Sequence, residues 1–139
     1  MKQLPQQVYE RMMKHDRFSE WLGLKLEAIE PGYCRMHFTV KPVMLNGFQI
    51  VHGGILFAAS DSVFAFACNS HGRLTVALDV SITFTRPATE GEQLTVEAKE
   101  VHLGQKVSVY EVKVFNASEE MLSLFKGTAY RTSKLVVEN

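Results

Sequence analysis

The stretch that decides the fold runs from His52 to Ser70 and reads HGGILFAASDSVFAFACNS. From Ile55 to Cys68 almost every position is apolar or small. One acid, Asp61, stands in the middle, and Gly53 and Gly54 open the run. A run this long exceeds one strand, and His71 with Gly72 just past its end are helix stop signals. It reads as a buried helix, apolar on most sides. Ala58, Ala59, Ala65 and Ala67 leave room for a sheet to approach it closely.

The segments around it alternate with the period of strands. Leu74, Val76, Leu78, Val80, Ile82 and Phe84 alternate with smaller or polar residues, and Arg86-Pro87 ends the run. Leu94, Val96 and Ala98 begin another strand whose phase slips before Val101 and Leu103. After a turn near Gly104, Val107 and Val109 slip to Val112 and Val114. Slips near 99–100 and 110–111 predict facing bulges that bend the sheet sharply. A last strand covers about 121–132, with a further slip at Gly127. Upstream, Pro5 to about Arg17 reads as a helix. A hairpin follows, with Leu22 to Ala28 and Cys34 to Val40 as its arms around Pro31-Gly32. An Asn46-Gly47 turn sits in the connection to the long helix. Helices are too few for parallel crossovers throughout. The expected class is therefore α+β, a hotdog-type fold: one long central helix wrapped by a curved, mostly antiparallel sheet of about six strands.

The chain has 139 residues, the length of one domain spanning 1–139. A chain of that size buries about two thirds of its unfolded surface without needing staples. Lysine plus arginine and aspartate plus glutamate number 15 each, for a net charge of zero. That balance argues against nucleic-acid and membrane-surface partners. No window of about 18 apolar residues is present. The first sixteen residues carry no apolar signal-peptide core. Cys34 and Cys68 read as buried thiols of a reducing compartment, so a cytoplasmic location is expected. The five histidines show no metal-ligand spacing. No nucleotide-binding glycine pattern and no GxSxG elbow occur. The expectation is therefore no metal and no bound cofactor. Lys106 and Arg86, near strand ends, are candidates for a phosphate contact or are ordinary solvated charges.

Asp61 has two readings. Either it stands with Ser60 and Ser62 in a thin polar stripe, or it is a functional acid. A buried, unpaired carboxylate is costly and tends toward a raised pKa, and aspartate is a poor interior helix former. Positions that break such rules are functional candidates. His52-Gly53-Gly54 has two readings as well, a flexible turn or a helix N-terminus whose free N–H groups meet a ligand oxygen. Gly53 and Asp61 are eight residues apart, about 12 Å along one helix. One carbonyl cannot contact both in a single chain, so cooperation requires two subunits related by a two-fold axis.

At these residues the sequence resembles the PaaI-type hotdog acyl-CoA thioesterases. The matching pattern is Asn46, HGG at 52–54, Asp61, the continuation FAFACNSHG and RPA at 86–88, within a similarity from about Leu22 to Arg131. The resemblance implies hydrolysis of a coenzyme A thioester to free acid and CoA. Its implied substrates are aromatic, phenylacetyl-type acyl groups linked to phenylacetate degradation, with medium-chain acyl groups beside them. It implies homodimers with shared active sites, commonly paired into homotetramers. Asp61 would be the general base or nucleophile, Gly53 N–H the polariser of the carbonyl, Asn46 a positioner of water or thioester, and His52 a support for the loop. Gly54 and Phe57 would meet substrate, and Lys106 the nucleotide end. Some relatives carry a serine or threonine on the strand after the helix, where this chain has Ala77. Two other readings stay open: a hotdog enoyl-CoA hydratase or dehydratase, and a non-catalytic acyl-CoA sensor.

Overall fold

A computed structural model describes residues 2–138. Two short helices come first, α1 (Leu4–Met13) and α2 (Arg17–Leu22). The hairpin β1 (Lys25–Glu30) and β2 (Tyr33–Thr39) follows. A 3-10 turn at Pro42–Met44 leads to the long helix α3 (Gly53–Asn69). Four strands complete the chain: β3 (Arg73–Phe84), β4 (Gln93–Leu103), β5 (Val107–Phe115) and β6 (Met121–Leu135). All six strands form one sheet in the order β1-β2-β4-β5-β6-β3, and every pairing is antiparallel. The α+β hotdog architecture is as expected, with α3 against the inner face of the sheet.

The core lies between them. Leu56, Ala59, Val63, Phe64, Phe66 and Ala67 of α3 are buried against Met36, Phe38, Val96, Val112, Val114 and Phe125 of the strands. Burying each large apolar side chain contributes roughly 1.5–3 kcal/mol. Asn69 ties the end of α3 to β3. Its amide nitrogen donates to the carbonyls of Thr75 (3.0 Å) and Ala65 (2.8 Å), and its amide oxygen accepts from Thr75 N–H (2.8 Å).

The expected slip at Gly127 is absent, since Phe125, Gly127 and Ala129 of β6 are buried in unbroken alternation, and four further expectations need correction. The first helix stops at Met13, and Asp16 starts a second one by accepting from Ser19 N–H (2.9 Å). Leu22 belongs to that second helix, and the first strand begins at Lys25. The β4 slip is real, a bulge between Glu100 and His102, but β5 has no matching slip. Ser108 and Tyr110 of β5 point inward and are buried, while Val107 and Val109 face out. Tyr110 accommodates its polar end inside by donating its one proton to the Glu100 carboxylate (2.9 Å), with the Ala67 carbonyl 3.4 Å away.

The fourth correction concerns β3. Its unbroken alternation crosses a bulge between Ala77 and Asp79. Val76 pairs with outward Tyr130, whereas Val80 and Ile82 pair with inward Gly127 and Phe125. The extra residue splits one apolar set between two faces. β3 is also an edge strand, bonded only to β6. Val76, Leu78 and Phe84 are therefore well exposed, at 48%, 59% and 51%.

Candidate active site

The start of α3 is fixed from three sides. His52 N–H donates to Met44 O (2.8 Å), and Val51 N–H donates to Ala88 O (2.8 Å). The His52 ring caps the helix, its Nδ1 accepting from Gly54 N–H at 2.8 Å. That contact makes Nδ1 the acceptor, so a neutral ring carries its proton on Nε2. It also occupies the Gly54 N–H. Gly53 N–H has no hydrogen-bond partner among the described residues and stands at the positive end of the helix.

Asn46 organises the loop before the helix. Its Oδ1 accepts from Phe48 N–H (2.8 Å) and Ile50 N–H (3.4 Å), an Asx turn that sets the loop over the helix end. Its N–H donates to Ile50 O (2.8 Å), and a Leu45–Val51 bridge closes the base. With Oδ1 engaged, the amide nitrogen is the end of Asn46 left to meet a ligand.

These residues line one pocket of about 460 Å³: Asn46, Ile50, Val51, Gly53, Leu56, and the end of β3 at Phe84 to Pro87. Its wall is largely apolar. Arg86 is its cation, paired at 3.1 Å with Glu120.

Asp61 lies outside this pocket, farther along α3. The three residues of its polar stripe have separate fates. Ser60 is fully buried, and Ser62 Oγ lies 2.9 Å from Ser19 Oγ on α2. Asp61 alone of the three is a half-buried acid, and burial pushes its carboxyl up from the ordinary 3.8. No cation among the described residues offsets that push. A carboxylate kept short of solvation is a stronger base than a surface one.

The single chain thus joins Asn46, His52 and Gly53 and leaves Asp61 apart. Phe57 is partly buried, with its ring edge-on to Phe125 at 5.6 Å. Lys106 sits in the β4–β5 turn beside Arg131, at the end of the sheet away from Gly53. Phe84 and Arg86 belong to the pocket lining. Sequence reading passed over Phe84 because it completes a strand pattern, and only the folded chain turns it toward Gly53. Among the described residues no three His, Cys, Asp or Glu side chains are grouped to hold a metal ion.

Comparison with known proteins fits this geometry. The family model described as Thioesterase superfamily matches residues 48–123, which span the α3 N-terminus, Asp61 and the end of β3. The chain belongs to the thioesterase superfamily and is a thioester hydrolase. It is 37% identical over 120 residues to the acyl-coenzyme A thioesterase PaaI of Escherichia coli, covering 86% of each chain. A putative esterase of Archaeoglobus fulgidus is 41% identical over 132 residues, covering 95% of this chain and 86% of the relative. The solved structure of the E. coli PaaI protein from the phenylacetic acid degradation operon superposes with a TM-score of 0.92 at 34% identity. It covers 94% of this chain and 95% of that one. The resemblance read from the motif is borne out at this level.

Proposed function

We propose that this protein hydrolyses acyl-coenzyme A thioesters to free acid and CoA at a site shared by two copies of the chain. One observation carries the reading. Gly53 N–H and Asp61 are separated by about 12 Å of helix, while the neighbouring edge strand β3 leaves Val76 and Leu78 uncovered. Pairing two β3 edges antiparallel would set the α3 N-terminus of one copy near the middle of the other copy's α3.

In that arrangement the thioester carbonyl accepts from Gly53 N–H, which stabilises the oxygen as it gains charge. The Asn46 amide nitrogen donates to the carbonyl or the attacking water. Asp61 of the second copy takes a proton from water, or attacks the carbonyl carbon to give a mixed anhydride that water then cleaves. The CoA thiolate leaves and is protonated by solvent. His52 holds the helix end in place and does no chemistry in this scheme. Arylacetyl or medium-chain acyl groups suit the apolar lining, and the likeness to the E. coli PaaI protein favours the first. Two such dimers would pair into a tetramer.

Free-thiol release from a panel of acyl-CoAs tests the reading. Asp61→Asn keeps the shape and removes the base, so turnover should fall by about 10²-fold or more with the fold intact. Equal rates for variant and wild type would remove Asp61 from the chemistry.

A further inference from the structure

Phe84 ends β3, and its ring lies against the helix N-terminus. A Cβ built on Gly53 would meet three ring atoms before anything else: Cζ at 3.0 Å, Cε1 at 3.4 Å and Cε2 at 3.5 Å. With Cζ nearest and both Cε atoms only slightly farther, the ring turns its face, at the Cζ end, toward Gly53. Its backbone is held firmly. Phe84 pairs with Ser123, Thr85 N–H donates to Leu122 O (2.8 Å), and Thr85 Oγ1 donates to Met121 O (2.6 Å). The ring is nevertheless 51% exposed and lines the pocket, so filling the core does not account for it.

We infer that Phe84 sets which acyl groups the site accepts, by walling the space beside a carbonyl bound at Gly53 and excluding thioesters branched at the α-carbon. The inference rests on the reading of Gly53 N–H as the carbonyl's donor. A carbonyl oxygen about 3 Å from that N–H places its carbon and the next atoms beside the ring. An unbranched α-carbon, as in straight-chain or arylacetyl groups, passes the ring. A second substituent there collides with a side chain whose backbone cannot retreat. The ring is an apolar wall on that side of the carbonyl. It also keeps water from that oxygen.

The test compares thiol release from butyryl-CoA and isobutyryl-CoA by wild type, Phe84→Ala and Phe84→Leu. Wild type should favour the linear substrate in kcat/KM. Phe84→Ala should shrink that preference by about tenfold or more, the scale on which a pocket senses a methyl-sized change. Phe84→Leu should fall between, and it carries the same comparison if the alanine variant does not fold. A linear-to-branched ratio unchanged by both substitutions, or no preference in wild type, overturns the inference even where total activity falls. Asp61→Asn assayed alongside separates the two proposals. An Asp61-dependent enzyme with an unchanged ratio sinks only the role of Phe84. A wild type that releases no thiol from any acyl-CoA sinks both.

Discussion

The ring of Phe64 on α3 occupies the space that a side chain at position 127 would take. A Cβ on Gly127 would lie 2.7 Å from Phe64 Cζ, 2.8 Å from Cε1 and 3.1 Å from Phe125 Cε1. The glycine lets helix and sheet close on each other around an aromatic cluster. Phe64 packs on Phe125 with centroids 5.6 Å apart and on Tyr110 at 5.7 Å.

Gly127→Ala should therefore destabilise the fold by about 1–3 kcal/mol, the usual cost of overpacking a core. Urea denaturation gives the value. A loss below the error of the measurement would mean that the aromatic cluster can repack.

Two inactive variants should rescue each other if the site is shared. Gly53→Pro removes the N–H at the first helical position, where its Cβ displaces the Phe84 ring by a few tenths of an ångström, and Asp61→Asn removes the base. In a mixed dimer one of the two sites has both groups intact. Statistical mixing should restore about a quarter of wild-type turnover. A mixture as inactive as its parents would place the whole site within one chain.

The raised pKa of Asp61 fixes the sign of two pH effects. An acid whose folded pKa lies above its unfolded value stabilises the fold fully below the unfolded pKa and loses that contribution as pH rises through the folded one. Asp61→Asn should thus melt higher than wild type at neutral pH, and the difference should vanish below the ordinary 3.8. Turnover should rise with pH through an apparent pKa above that value, because the base must be ionised. Melting curves from pH 3 to 8 and a pH–rate profile check the pair. A wild type more stable than the variant at neutral pH would contradict the burial of an unpaired charge.

His52 acts on the helix through its cap. His52→Ala should cost about 1 kcal/mol, whereas His52→Asn, a side chain suited to the same position, should restore most of it. Calorimetry on the two variants decides. Equal losses would show that the ring contributes by some contact other than its Nδ1.

Much of the fold was legible because the strongest patterns report burial directly. The apolar run behind Gly53 became α3 within a residue at each end. The hairpin at Pro31-Gly32 and, apart from α2, the element order followed from period and turn residues. What escaped were the phases. In β3 the alternation is perfect, yet the bulge at 77–79 sends Val76 outward and Val80 inward. In β5 the valines suggested a slip that Tyr110 contradicts, because a tyrosine can be buried when its hydroxyl finds Glu100. A strand at an edge can be apolar on both faces without the sequence saying which one waits for a partner. The site divides in the same way. Asp61, Gly53 and His52 announced themselves by breaking local rules, whereas Phe84 obeyed them and emerged only from its distance to Gly53.

The sheet's two outer strands are unlike each other. β3 is twelve residues long and carries uncovered Val76 and Leu78. At the opposite border β1 has six residues, an irregular register at Leu26–Ala28, and exposed Lys25, Glu27 and Glu30. Short length, a kink and charge are what keep a border from recruiting further strands. A sheet adhesive on one side only is a self-limiting building block. Once two copies have joined through β3, neither has a second adhesive strand to offer. In the proposed dimer growth by strand addition would end there, and the long apolar strand that would endanger a solitary chain would not seed a fibre.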